Sequence, residues 1–110
     1  MINWFPRRIQ QKTITITPDE YALIEPYTKE SGSDSRDDIA SYLKIGFDEC
    51  GEAYDANLRR ATGSLCVKRR RFLIQENERL LKVRALLLSA HKKLVSAGPC
   101  TVSFNVQDTP

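Results

Sequence analysis

Residues Thr13–Thr17 alternate strictly between polar and apolar, with Thr13, Thr15 and Thr17 interleaved with Ile14 and Ile16. A period of two over so few residues predicts a short strand with one wet and one buried face. The same stretch runs directly into a helix start. Thr17 is placed to cap, Pro18 stands at the first helical position, and Glu20 follows three residues on, which is a capping box with proline at N1. A single short strand is not stable alone in water: its isoleucines need a core and its backbone edges need partners. No second strand follows nearby, so the expected partner is the same strand of a second copy of the chain.

Beyond the strand the pattern is helical. Helix A is expected from Pro18 to about Lys29, with Tyr21, Ile24 and Tyr27 on one face. Pro26 must either kink it or end it, because proline donates no hydrogen bond and crowds the carbonyl of Ala22. Gly32, between Ser31 and Ser33, supplies the break. Helix B starts at Ser33, Asp34 or Ser35, with Asp37 and Asp38 suited to its first turn. Its buried stripe is Ile39, Leu43 and Phe47, helped by Tyr42 and Cys50, and Gly51 is the expected stop. Residues 52–63 read as a further helix or a connector.

Residues 65–97 contain neither proline nor glycine and predict one long helix. Leu73, Leu80, Val83, Leu87, Ala90, Leu94 and Ala97 step by sevens, threes and fours, and Ile74, Leu81, Leu88 and Val95 form an adjacent stripe. A face this wide suits a helix packed on two neighbours. Gly98-Pro99 ends it, and Val102, Phe104 and Val106 alternate as in a final strand.

Charge divides the chain. Its formal net charge of +3 conceals about +3 over residues 1–12, −8 over 13–55 and +8 over 56–110. Lys68-Arg69-Arg70-Arg71, with Arg59 and Arg60 upstream, is the densest positive cluster, expected either to contact phosphates or an acidic partner, or to neutralise the acidic helices of its own assembly. Arg7 and Arg8 suit a basic arm reaching along a phosphate backbone, while Trp4 and Phe5 beside them suit packing over the edge of the strand. Lys12 adds a third early cation, expected with Arg7 and Arg8 to hold phosphate.

The segment from the strand to helix B resembles the ribbon-helix-helix (Arc/MetJ/CopG-like) family of DNA-binding proteins over roughly residues 9–50. The likeness is carried by Thr13-Ile14-Thr15-Ile16, Gly32 and Ile39. In that family two chains pair their strands into an antiparallel ribbon that enters the major groove. The resemblance implies that Gln11, Thr13 and Thr15 read bases while Ile14 and Ile16 face the dimer core. Glutamine can bond adenine in a bidentate way, and threonine offers a hydroxyl for base edges and a methyl for thymine. It also implies a phosphate held at the start of helix B by Ser33, Ser35 and Arg36. Asp34, Asp37 and Asp38 depart from what such a site prefers, and Pro26 is a second departure.

The expected fold is therefore mainly α: a ribbon-helix-helix followed by a long C-terminal helical extension. Its parts are a basic and aromatic arm (1–11), a DNA-binding and dimerisation domain (12–51), a helical extension for oligomerisation or partner binding (52–98), and a tail with a short strand (99–110). The expected partners are double-stranded DNA and a second copy of the chain, with a higher oligomer or a protein partner held through residues 65–97. A repressor is the default role. A relaxosome accessory protein of a mobilisable plasmid (MobC and NikA type) and an antitoxin are alternatives, the first through a faint echo at Ala56-Asn57-Leu58. From another class comes a helical interaction module that uses the ribbon only to dimerise. His91 is the single histidine, and Cys50, Cys66 and Cys100 are far apart, so neither a triad nor a metal site assembles and no cofactor or catalysis is expected. The absence of a long apolar run and of a signal-peptide pattern in residues 1–8 predicts a cytoplasmic protein away from membranes, with reduced thiols.

Overall fold

A computed structural model describes residues 10–108. In chain order it contains β1 (Gln11–Ile16), α1 (Pro18–Ser31), α2 (Arg36–Gly63), α3 (Val67–Ser96) and β2 (Thr101–Val106). No helix among the described residues is long and apolar enough to cross a membrane.

The capping box forms. The backbone N–H of Glu20 donates to Thr17 Oγ1 at 3.3 Å, and the backbone N–H of Thr17 donates to Glu20 Oε1 at 3.0 Å. The helix continues through Pro26 to Ser31, so the proline does not end it. Gly32 closes it in the left-handed conformation, φ 68°, with its N–H donating to the Thr28 carbonyl at 2.9 Å.

Helix α2 does not stop at Gly51. It runs to Gly63 because the residues beyond the glycine, Tyr54 and Asn57, continue its buried face onto α3. Residues 52–63 are thus the second half of one helix, and the expected division between 51 and 52 falls inside it. Helices α2 and α3 form an antiparallel hairpin joined by Ser64–Cys66, each about 42–45 Å long at about 1.5 Å per residue. The expected seam on α3 is the one used: Leu73, Leu80, Leu87, Ala90 and Leu94 are buried, and Val83 and Ala97 half-buried. The adjacent stripe is not covered. Ile74, Leu81, Leu88 and Val95 all remain exposed within the chain.

The main core lies at the end of the hairpin where α2 begins and α3 finishes. Ile14 and Ile16 from β1, Ile24 from α1, Ile39 and Leu43 from α2, Leu87, Ala90 and Leu94 from α3, and Val102 from β2 form one cluster. The aromatics tie α1 to its neighbours. Tyr27 stacks on Tyr42 with ring centroids 4.5 Å apart, and Tyr21 meets Phe104 edge-on at 6.1 Å.

The segment after α3 is a strand, and its partner lies in the same chain. β1 pairs in parallel with β2, Gln11 opposite Thr101, Thr13 opposite Ser103 and Thr15 opposite Asn105. Two parallel strands need a long crossover connection. Here it is the whole of α1, α2 and α3.

Candidate nucleic-acid interface

Side chains alternate along both strands, so the register fixes two faces. Ile14 and Ile16, with Val102 and Phe104, turn toward the helices and are buried or half-buried. Gln11, Thr13 and Thr15 turn outward and are exposed. β2 adds Thr101, Ser103 and Asn105 to that outward face, and the Thr13 and Ser103 hydroxyls are linked at 3.2 Å. The predicted reading residues therefore sit side by side, in a polar face twice as wide as sequence alone indicated. β2 was foreseeable as a strand from its alternation, but nothing local to it announced its neighbour.

The backbone has the same alternation. Thr101 N–H donates to the Gln10 carbonyl and Gln107 N–H to the Ile16 carbonyl, both at 2.9 Å, so even-numbered residues of β1 address β2. The N–H and C=O groups of Gln11, Thr13 and Thr15 consequently point to the opposite edge, which has no partner among the described residues. The outer edge of β2 differs. Its start is covered by the α1–α2 connection, through Val102 N–H to the Asp34 carbonyl at 2.8 Å and Arg36 N–H to the Cys100 carbonyl at 3.0 Å.

The groups expected to hold phosphate are mostly engaged inside the chain. Lys12 Nζ donates to the Ala97 carbonyl at the end of α3, where the helix dipole favours a cation. Ser33 Oγ donates to Asp38 Oδ2 at 2.8 Å. Arg36 Nε donates to the Gly98 carbonyl at 3.0 Å, and the guanidinium also pairs with Asp37 at 3.0 Å, leaving its side chain only 16% exposed. Ser35 occupies the N-cap of α2 without a side-chain capping bond. Sequence reasoning could not see that Arg36 spans to Gly98, because the contact links residues far apart in the chain. Arg7 and Arg8 lie outside the described residues.

The remaining basic cluster sits at the opposite end of the molecule. Arg59 and Arg60 close α2 and Lys68, Arg69, Arg70 and Arg71 open α3, all of them exposed. No ion pair among the described residues reaches them, so neutralisation by the acidic helices of the same chain is not what occupies them. Exposed Leu58, Leu65, Val67 and Phe72 are interleaved with these cations. Asn57, in the segment that echoes the mobilisation proteins, is buried.

No group of three or more metal-ligating side chains comes together among the described residues. Burial pushes the Cys50 thiol above its ordinary range, which disfavours the reactive thiolate. Compared with protein-family models, curated proteins and solved structures, the chain matches none.

Proposed function

We propose that this chain is a homodimeric, sequence-specific DNA-binding protein, with transcriptional repression as its default role. The observation that carries the reading is the coincidence, on β1, of an outward row of Gln11, Thr13 and Thr15 with an edge whose backbone groups have no partner among the described residues. A second copy added antiparallel on that edge, with the two-fold axis at Thr13, sets Gln11 of one copy opposite Thr15 of the other. All three residues on each strand then fall at hydrogen-bonded positions of the new ladder. Their side chains form a continuous polar surface of amides and hydroxyls, the chemistry that distinguishes base edges in the major groove. Arg7 and Arg8 supply charge for phosphates, since Lys12 and Arg36 are held within the fold. A relaxosome accessory role or an antitoxin role would use the same interface.

A selection from random duplexes followed by gel-shift titration tests this. We expect an enriched motif with two-fold symmetry, bound by a dimer. Binding without sequence preference, or none at low salt, would remove the reading. The exposed α3 stripe of Ile74, Leu81, Leu88 and Val95 favours the second reading, a helical interaction module in which the strand edge serves only to dimerise. That module would sediment as the same dimer and leave every duplex unshifted.

A further inference from the structure

Resting on that reading, we infer that β2 is the phosphate-contacting flank of the DNA interface, with Ser103 and Asn105 as neutral phosphate ligands rather than base readers.

The register puts Thr101, Ser103 and Asn105 on the same outward face as Gln11, Thr13 and Thr15. Pairing two copies through the open edges of β1 makes a four-stranded sheet with both β1 strands at its centre and a β2 strand on each side. Neighbouring strands are about 4.8 Å apart, so the two flanking strands stand about 14 Å from one another. The major groove is about 12 Å wide. The central strands fit between its walls and the flanking strands do not, so the latter come to rest over the sugar-phosphate backbones.

What β2 presents suits that position. Asn105 is exposed and carries two N–H donors, and its carboxamide is free of side-chain hydrogen bonds among the described residues. The Thr13–Ser103 link uses one hydroxyl proton of the two, and the other can be given to a phosphate oxygen. No carboxylate side chain interrupts the face from Thr101 to Gln107. The same face also answers a need of the proposed interface. Of the described residues expected to hold phosphate there, Lys12, Ser33 and Arg36 are spent on contacts inside the chain. Groups on β2 stand beside the reading strand and can take that place.

Phosphate contacts position a protein on DNA and carry no sequence information, whereas base contacts specify. Neutral donors also release no counterions. These two facts give β2 a signature of its own. In the full-length protein, Ser103→Ala with Asn105→Ala is expected to weaken binding about tenfold. The loss is the same for the selected motif and for its single-base variants, and the slope of affinity against salt is unchanged. Asn105→Asp, which keeps size and exposure but sets a carboxylate against the phosphates, is expected to weaken binding further while its thermal denaturation matches wild type. Undiminished affinity in the double variant and in Asn105→Asp would overturn the assignment. So would a reordered motif preference, which would make β2 a base reader and put the in-chain β1–β2 pair in the groove. Failure of the wild-type protein to bind any duplex would instead remove the proposed function, and this inference with it.

Discussion

Lys93 Nζ lies 2.6 Å from Glu20 Oε1, joining the last turns of α3 to the first turn of α1 just where β1 ends. The Glu20 side chain is 2% exposed and that of Lys93 37%. The same carboxylate oxygen accepts from the Thr17 backbone N–H and hydroxyl. One buried carboxylate therefore caps the helix, fixes the end of the candidate reading strand and ties both to α3. Replacing Lys93 with Ala leaves that carboxylate short of its charged partner. The expected cost is about 1–3 kcal/mol, less than for a fully buried pair because the ammonium is partly solvated. Chemical denaturation at neutral pH measures it.

The pH dependence follows from the same group. Burial pushes the Glu20 carboxyl up, but hydrogen bonds from Lys93 and then from Thr17 outweigh it and hold the carboxyl below its ordinary range. The Ser89 hydroxyl contributes least, and Oε2 has no hydrogen-bond partner among the described residues. A carboxyl depressed on folding contributes stability that is complete above its unfolded value and is lost as pH falls through the folded one. Wild type is expected to lose this contribution as pH falls below the ordinary glutamate range, and Glu20→Gln to lose less over the same interval. Equal acid sensitivity in urea melts of the two proteins would contradict this.

Gly32→Ala isolates backbone strain. A β-carbon at this position would meet nothing within 4 Å, so the substitution makes no clash, yet φ is +68°. The expected loss is about 1–2 kcal/mol, the cost of a left-handed alanine, with Gly32→Asn closer to wild type. Thermal unfolding distinguishes them.

What could be read in the sequence was what is local. The Thr17 capping box, the Gly32 cap and the stepping from Leu73 to Leu94 depend on neighbours within one or two turns, and each forms where its pattern lies. The partner of β1 was not legible, because the Thr13–Ser103 contact spans 90 positions and three helices. Gly51 misled for a related reason. Glycine marks a helix end when nothing else holds the backbone, but here α3 packs along the helix on both sides of it, with the Arg84 guanidinium lying over the glycine. At the candidate interface, residue types on β1 were legible. The engagement of Lys12 and Arg36 by the carbonyls of Ala97 and Gly98 was not.

Among the described residues, Asn77 is buried in the α2–α3 seam with one hydrogen bond, from Nδ2 to the Tyr54 carbonyl at 3.3 Å, and its Oδ1 has no partner. A polar group half-satisfied in a seam costs stability and specifies register. Asn77→Leu is therefore expected to raise the midpoint of thermal unfolding, by the equivalent of about 1 kcal/mol. A lower midpoint would mean that an ordered water completes the bonding of Oδ1.

The basic end of the hairpin sets the last expectation. α3 carries four cations at or near its start and no acid in its first turn, an arrangement its own dipole opposes. An anionic partner would relieve it. With the sheet in the groove, these residues lie a helix length away, about 45 Å, or about 13 base pairs of duplex. They can touch the same DNA only if the duplex continues that far and the hairpin lies along it. Arg69→Ala with Arg70→Ala and Arg71→Ala is thus expected to leave the salt dependence unchanged on a duplex of about 12 base pairs. On one of about 60 it should flatten the slope by about two to three, close to 0.9 for each phosphate released. A slope equally unchanged on the long duplex would assign the cluster to an acidic partner other than DNA. A slope flattened on the short duplex as well would mean that the hairpin folds back toward the groove.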